Sequence, residues 1–355
     1  MRNTLSKILC IAGILLAGCN DLCDKPPAAA VDVRLGMPSG GGARTRYGGL
    51  AYDPVNEELF IGFPEAECVE VIDLTSGTKL PRITQCGIPL ALVVPNNTPT
   101  PSLLVVNSRR ADVLVYDLKS TMIRARLRAP SPIAGLFNTP TDPYIQCTSD
   151  DDSFKIIPII GPPLVIGEAI TLPRRPIAVG FAPSTTQRAL CAIFPTDPDG
   201  GTSTFRVFRS LTGREIDSLR VDGLPRFSVL RYVDDDDCFY GVTASPPMLV
   251  RIDAAGRVTD RVACRTGASS IAFEPGSRTV AVICSSDGKH ADSADDHGSI
   301  EYFRRDKSRN LRLTGSSPLP GGLNFGIEAR NRHSICVVCL GTALDSARML
   351  EFRCE

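Results

Sequence analysis

The stretch Leu103–Leu118, LLVVNSRRADVLVYDL, decides the fold. It reads as an apolar strand, a polar turn over Asn107 to Asp112, and a second strand closing on Tyr116-Asp117-Leu118. Two branched, apolar runs around a short polar break form a hairpin. The same grammar recurs at Leu59–Leu74, LFIGFPEAECVEVIDL, and at Tyr144–Ile159, YIQCTSDDDSFKIIPI. One such hairpin cannot bury both of its faces, so its repetition implies stacked units that share cores.

Working outward, seven segments open alike, at Gly49, Pro89, Pro132, Pro176, Pro225, Ser270 and Gly322, each followed by a short apolar strand. Pro89, Pro132, Pro176 and Pro225 are spaced 43, 44 and 49 residues apart, near the period of a four-stranded propeller blade. Second strands follow, apolar on both faces as packing between blades requires, then third strands and more polar, edge-like fourth strands such as Met122–Arg128, Glu215–Val221 and Val258–Ala263. Turns such as Thr75-Ser76-Gly77 and Ala254-Ala255-Gly256 join third strands to fourth. No long segment carries a 3.6-residue stripe, so helices should be few. The expected fold is all-β: a seven-bladed β-propeller with four-stranded antiparallel blades. The seventh segment reaches only a third strand, Ala347 to Phe352, before the chain ends. An open sheet edge needs a partner, and Ala30–Leu35, AVDVRL, is the candidate that would close the last blade.

The N-terminus carries an address. Arg2 and Lys7 precede an apolar run, Ile8 to Leu16, too short for a permanent transmembrane helix. It ends in Leu16-Ala17-Gly18-Cys19, which resembles a bacterial lipobox. The resemblance implies removal of residues 1–18, lipidation of Cys19, a lipidated tether over 19–29, and a propeller over 30–355. Several buried acyl chains hold a protein stably where one is marginal. Asp21 resembles a retention signal of some inner-membrane lipoproteins, but Asn20 takes the nearer position, so either membrane fits.

Val105-Val106-Asn107 followed by Val113-Leu114-Val115-Tyr116-Asp117-Leu118 resembles the YVTN family of β-propeller repeats, and Val71-Ile72-Asp73-Leu74-Thr75-Ser76-Gly77 is similar to its second half. The likeness is sharp in the first two segments and loose over the rest of 48–355. It implies the propeller fold; function lies in sites grafted on it.

Composition narrows the partners. Lys+Arg and Asp+Glu both number 39, so no global charge attracts nucleic acid. Thirteen cysteines leave eleven once Cys10 is cleaved away and Cys19 is lipidated. Cys147, Cys191, Cys238, Cys284, Cys336 and Cys339 fall in second strands, as small buried side chains do. Cys336 and Cys339 have CxxC spacing, but three steps along a strand send the thiols to opposite faces. Cys68, Cys86, Cys264 and Cys354 lie near strand ends, where pairing is open. The acidic runs Asp150–Asp152, Asp197–Gly200, Asp234–Asp237 and Asp292–His297 lack an EF-hand's alternation and read as solvated turns. No nucleophile elbow, P-loop or triad stands out, and no catalytic residue, metal site or cofactor is assigned.

The site argument is therefore architectural. Connections from second to third strands, and those entering each first strand, gather on one face of a propeller. Here they carry Arg109, Arg110, Asp150, Asp151, Arg175, Arg226 and Asp287, a mixed-charge rim suited to a protein or other ligand. The expectation is a lipoprotein anchored in the cell envelope through Cys19, acting as a binding or scaffolding propeller for a protein partner. The alternative is a propeller hydrolase or oxidoreductase, lactonase-type or quinone-dependent. That reading requires carboxylates or His from different blades to converge at the channel mouth.

Overall fold

Seven antiparallel sheets follow one another around an axis, each with its first strand innermost; six have four strands, and in the third the outer position is divided between Val165–Ile166 and Ile170–Leu172. The computed structural model describes residues 29–35, 48–95, 98, 100–138, 142–148, 153–182, 189–195, 202–209, 220–243, 245–285, 297–306, 310–340 and 347–354. Among these, the helical elements are two single 3-10 turns, Asp234–Asp236 and Arg330–Arg332. The founding hairpin is the middle of blade two, Ser102–Asn107 paired with Asp112–Asp117. Its polar residues set the turns: Asn107 Oδ1 accepts the Arg109 amide at 3.1 Å, and Asp117 Oδ1 accepts those of Lys119 and Ser120 at 2.9 and 3.1 Å. Asp73 in blade one and Asp253 in blade five make the same turn. An Asp ending the third strand recurs because its carboxylate satisfies amides that the ladder leaves behind.

The second strands are buried almost throughout. Seven hydrophobic clusters result, one for each interface between neighbouring blades. Cys336 belongs to the cluster shared with blade one and Cys339 to the cluster shared with blade six. All ten described cysteines are free thiols, and burial pushes Cys86 and Cys238 up to about 12, which suits packing rather than reaction.

The inner strands share a device that the sequence did not disclose. A register shift inserts one extra residue near their start in blades two, three, five and six, bulging Leu90, Ala134, Ser228 and Ser269. The two serines hydrogen-bond Val242 O and Ile283 O across the bulge, both at 3.1 Å. Bulges bend and twist a strand, here where seven strands crowd one axis.

One expected boundary moves. The outer strand of blade four is Val221–Pro225, and the inner strand of blade five starts at Phe227, so Pro225 closes one blade instead of opening the next. An outermost strand tolerates a residue without an amide hydrogen. Of the expected strand Glu215–Val221, residues 215–219 lie outside the described residues.

The ring is closed as the pattern of AVDVRL requires. Ala29–Arg34 pairs antiparallel with Arg348–Arg353 as the outer strand of blade seven. Val33 and Leu35 are buried in the cluster between blades seven and one, and Asp32 points the other way into an ion pair with Arg348. Deleting residues 29–35 removes this strand. Burying Val33 and Leu35 alone stabilises by roughly 3–6 kcal/mol, so the urea midpoint of the full chain should fall sharply. An unchanged midpoint would rule out closure by this strand.

Candidate functional site: the axial channel and its two mouths

The topology gives the propeller two unlike faces. A turn face carries the connections between first and second and between third and fourth strands. A loop face carries those between second and third strands and from blade to blade. A cavity of about 810 Å³ runs along the axis between them. Each inner strand lends its wall an apolar residue: Leu50, Leu92, Leu136, Val179, Leu230, Ile271 and Ile327. Gly180 is required there, because a Cβ would stand 2.0 Å from Cγ of Tyr232 on the next blade.

At the turn-face end the wall becomes charged. Its five charged side chains are Arg231, Asp234, Asp235, Glu328 and Arg330, all from blades five and seven. Arg231 Nη2 donates to Glu328 Oε1 at 2.6 Å and its Nη1 to Ile271 O at 3.0 Å, bridging blades five, six and seven. Burial works against the Arg231 cation, but the charge and hydrogen bond of Glu328 outweigh it and raise its pKa. Arg330 pairs with Asp235 at 2.8 Å. Asp234 has no such partner among the described residues. Burial pushes its carboxyl up to about 6, with Asp235 and Glu328 adding to the rise and Arg231 and Arg330 opposing it.

Two residues along, Asp236 has the opposite fate. Its side chain is 3% exposed, and it gathers Tyr240 at 2.6 Å, Arg251 at 3.2 Å, Arg305 at 3.7 Å, and Arg278. Burial would raise its pKa, but the Tyr240 hydrogen bond and the Arg251 charge prevail and hold it below the usual carboxylate range. The run Asp234–Asp237 is thus no solvated turn. Its members serve the channel, the blade-seven arginine, the blade-six guanidiniums and the Tyr232 hydroxyl in turn. The same lacing continues around the ring. His333 Nδ1 lies 3.1 Å from Glu274 Oε1, Arg332 reaches Glu57 at 2.8 Å and Glu351 at 2.7 Å, and Asn331 donates to Pro54 O. Each contact follows from a four-residue turn ending in a left-handed residue: Glu57, Asp237, Arg278 and His333.

Those residues singled out in sequence that the structure describes occupy the other face. Arg109 pairs with Glu67 of blade one at 2.7 Å, with both side chains largely exposed. Arg110, Arg175 and Arg226 are exposed and make no ion pair with a described residue. Cys19, Asp150, Asp151 and Asp287 lie outside the described residues. What sequence reasoning missed on this face is apolar. Leu90, Ile177 and Leu323, at the inner ends of blades two, four and seven, are 37%, 37% and 49% exposed. Their signal was present: the branched residue after Pro89, Pro176 and Gly322 has no neighbour to cover it. Sequence reasoning also missed the channel charges, since Arg231 and Glu328 are 97 residues apart.

No family model and no curated protein matches the chain. Solved structures do. A chain of the mitotic checkpoint complex superposes with a TM-score of 0.64 at 8% identity, covering 94% of each chain. The RRP9 WD40 repeats give 0.63 at 14%, over 93% of this chain and 99% of that one. The Kuenenia stuttgartiensis hydrazine synthase gives 0.62 at 14%, over 86% and 96%. The shared property is the fold. This chain is a β-propeller, and its structural neighbours include the WD40 repeats of RRP9.

The two adjacent aspartates predict opposite outcomes. Removing one partner of a buried ion-pair cluster costs about 3–5 kcal/mol, so Asp236→Ala should lose that much at neutral pH. Because the Asp236 pKa is depressed, its contribution is present above the unfolded value and fades as pH falls through the folded one. For Asp234 the folded pKa lies above the unfolded value, so stability is lost as pH rises from about 4 to about 6. Asp234→Asn should therefore gain about 1–3 kcal/mol above pH 6 and nothing below about pH 4. Urea unfolding of both variants at acid and neutral pH tests the contrast.

Proposed function

We propose that the chain is a lipoprotein of the cell envelope, anchored through Cys19, whose propeller binds a protein partner on its loop face. One observation carries this reading: Leu90, Ile177 and Leu323 stand exposed around the loop-face mouth, with Arg109, Arg110, Arg175 and Arg226 on the surrounding connections. An apolar centre with arginines at its margin is the usual anatomy of a protein-binding patch. A partner segment with branched or aromatic residues flanked by acids fits it. Asp150, Asp151 and Asp287 are assigned to the same rim on sequence grounds.

The direction of the clasp strand supports the arrangement. Ala29 pairs with Phe352, at the turn-face end of the third strand, and Arg34 with Arg348 at the loop-face end. The tether therefore joins on the turn face. Ten residues, 19–28, extend at most ~35 Å, which keeps that face near the bilayer and leaves the loop face open to partners. A chain of the mitotic checkpoint complex is among the structural neighbours, and a propeller working inside an assembly suits this reading. The enzyme alternative gains one observation, that Asp234, Asp235 and Glu328 converge from two blades on the channel. Two of those three are held by arginines, and no group of three described His, Cys, Asp or Glu is placed to hold a metal.

Pull-down from gently solubilised envelopes, comparing the intact chain with a Leu90→Asp, Ile177→Asp, Arg175→Glu variant, tests the face. A partner retained by the intact chain and lost by the variant is expected; equal retention by both would place the binding surface elsewhere. Cys19→Ser should move the protein from the membrane to the soluble fraction. Persistence in high-salt-washed membranes would refute the lipid anchor.

A further inference from the structure

The channel is a second candidate site, independent of the loop face. Its body carries apolar residues from all seven blades beside Gln146 and Ser270, and its charges sit at one end in unequal numbers: three acids against two arginines. Both arginines are committed, Arg231 to Glu328 and Arg330 to Asp235. Asp234 is left facing the cavity with no cation of its own. Nearby, the second carboxylate oxygen of Glu328 is buried without a hydrogen-bond partner among the described residues. Buried polar groups rarely stay unsatisfied, so this end of the channel is short of donors and of one positive charge.

We propose that the axial channel binds a small organic cation. A single ammonium group meets Asp234, near Glu328, and an apolar body lies along the wall formed by Leu50, Leu136 and Leu230. The cavity falls in the size range of small-molecule sites, and its wall sets apolar side chains beside convergent polar groups. Tyr52, Phe137 and Tyr232 also line it, and aromatic faces attract cations and rings alike. The other ligand classes fit less well. An anion would meet the excess negative charge, and a neutral apolar molecule would cover the half-buried Asp234 and leave it unpaired, which is costly.

The absence of Trp makes a direct test practical. Indole emission from tryptamine reports the ligand alone, by anisotropy, against the full lipidated chain in zwitterionic nanodiscs, with empty nanodiscs as the partition control. Saturable tryptamine binding is expected at pH 7, with indole-3-acetate at least ~10-fold weaker, as a charge-assisted contact worth ~1.5–3 kcal/mol implies. Asp234→Asn should weaken tryptamine by about tenfold or more on the same grounds. Since that variant is expected to be the more stable protein at this pH, lost binding would not reflect unfolding. Three results would each overturn the proposal: no saturable tryptamine signal, equal affinity for indole-3-acetate, or unchanged affinity in Asp234→Asn. Each concerns the channel and leaves the loop-face reading to its own pull-down.

Discussion

A ring of sheets is stable only if its ends meet, and here the meeting rests on one antiparallel ladder between Ala29–Arg34 and Arg348–Arg353. Six of the seven interface clusters are built from blades adjacent in sequence. The seventh joins blade seven to blade one and includes Val33 and Leu35 from the N-terminal strand. Its partners are more than 300 residues away, so loop-closure entropy is met late and all at once. The alternating Val31, Asp32, Val33 pattern suits such a strand. Two apolar residues supply the burial, and the outward Asp32 meets Arg348, which helps fix the register.

The second cohesive system is electrostatic and uneven. On the turn face, blades five, six, seven and one are linked by Asp236, Glu274, Glu328 and Glu57, each reaching a basic residue of another blade. The closing interface thus has both an apolar cluster and an ion pair, Arg332 with Glu57. Removing one member of these clusters leaves the others charged and partly buried, so their value lies in specifying which turn meets which more than in net stabilisation.

Much of the architecture was legible because it depends on period. Alternation, turn residues and the spacing of strand openings are local, and LLVVNSRRADVLVYDL contains all three. The boundary at Pro225 misled because a proline that opens strands in blades two to four also fits an outermost edge. The bulges at Leu90, Ala134, Ser228 and Ser269 follow from crowding at an axis, which no single strand encodes. The site was less legible. Arg231 and Glu328 meet only because blades five and seven face each other across a channel, and nothing near either residue in sequence signals the other. The run Asp234–Asp237 resembled a solvated turn because composition cannot distinguish four neighbouring carboxylates that a tight turn sends in four directions.

That divergence ties the local structure of the turn to the channel it faces. The Asp236 side chain is buried with an excess of guanidinium around it, and Asp234 is half-buried with none to spare. Identical side chains two residues apart therefore stabilise and destabilise the same turn. A fold selected for stability alone would place Asn or an apolar residue at 234, where the arginines already have partners. Retaining an acid there costs stability at neutral pH, and locally destabilising groups persist where a binding event uses them. If the channel takes the proposed cation, the end of this turn is where stability gives way to binding.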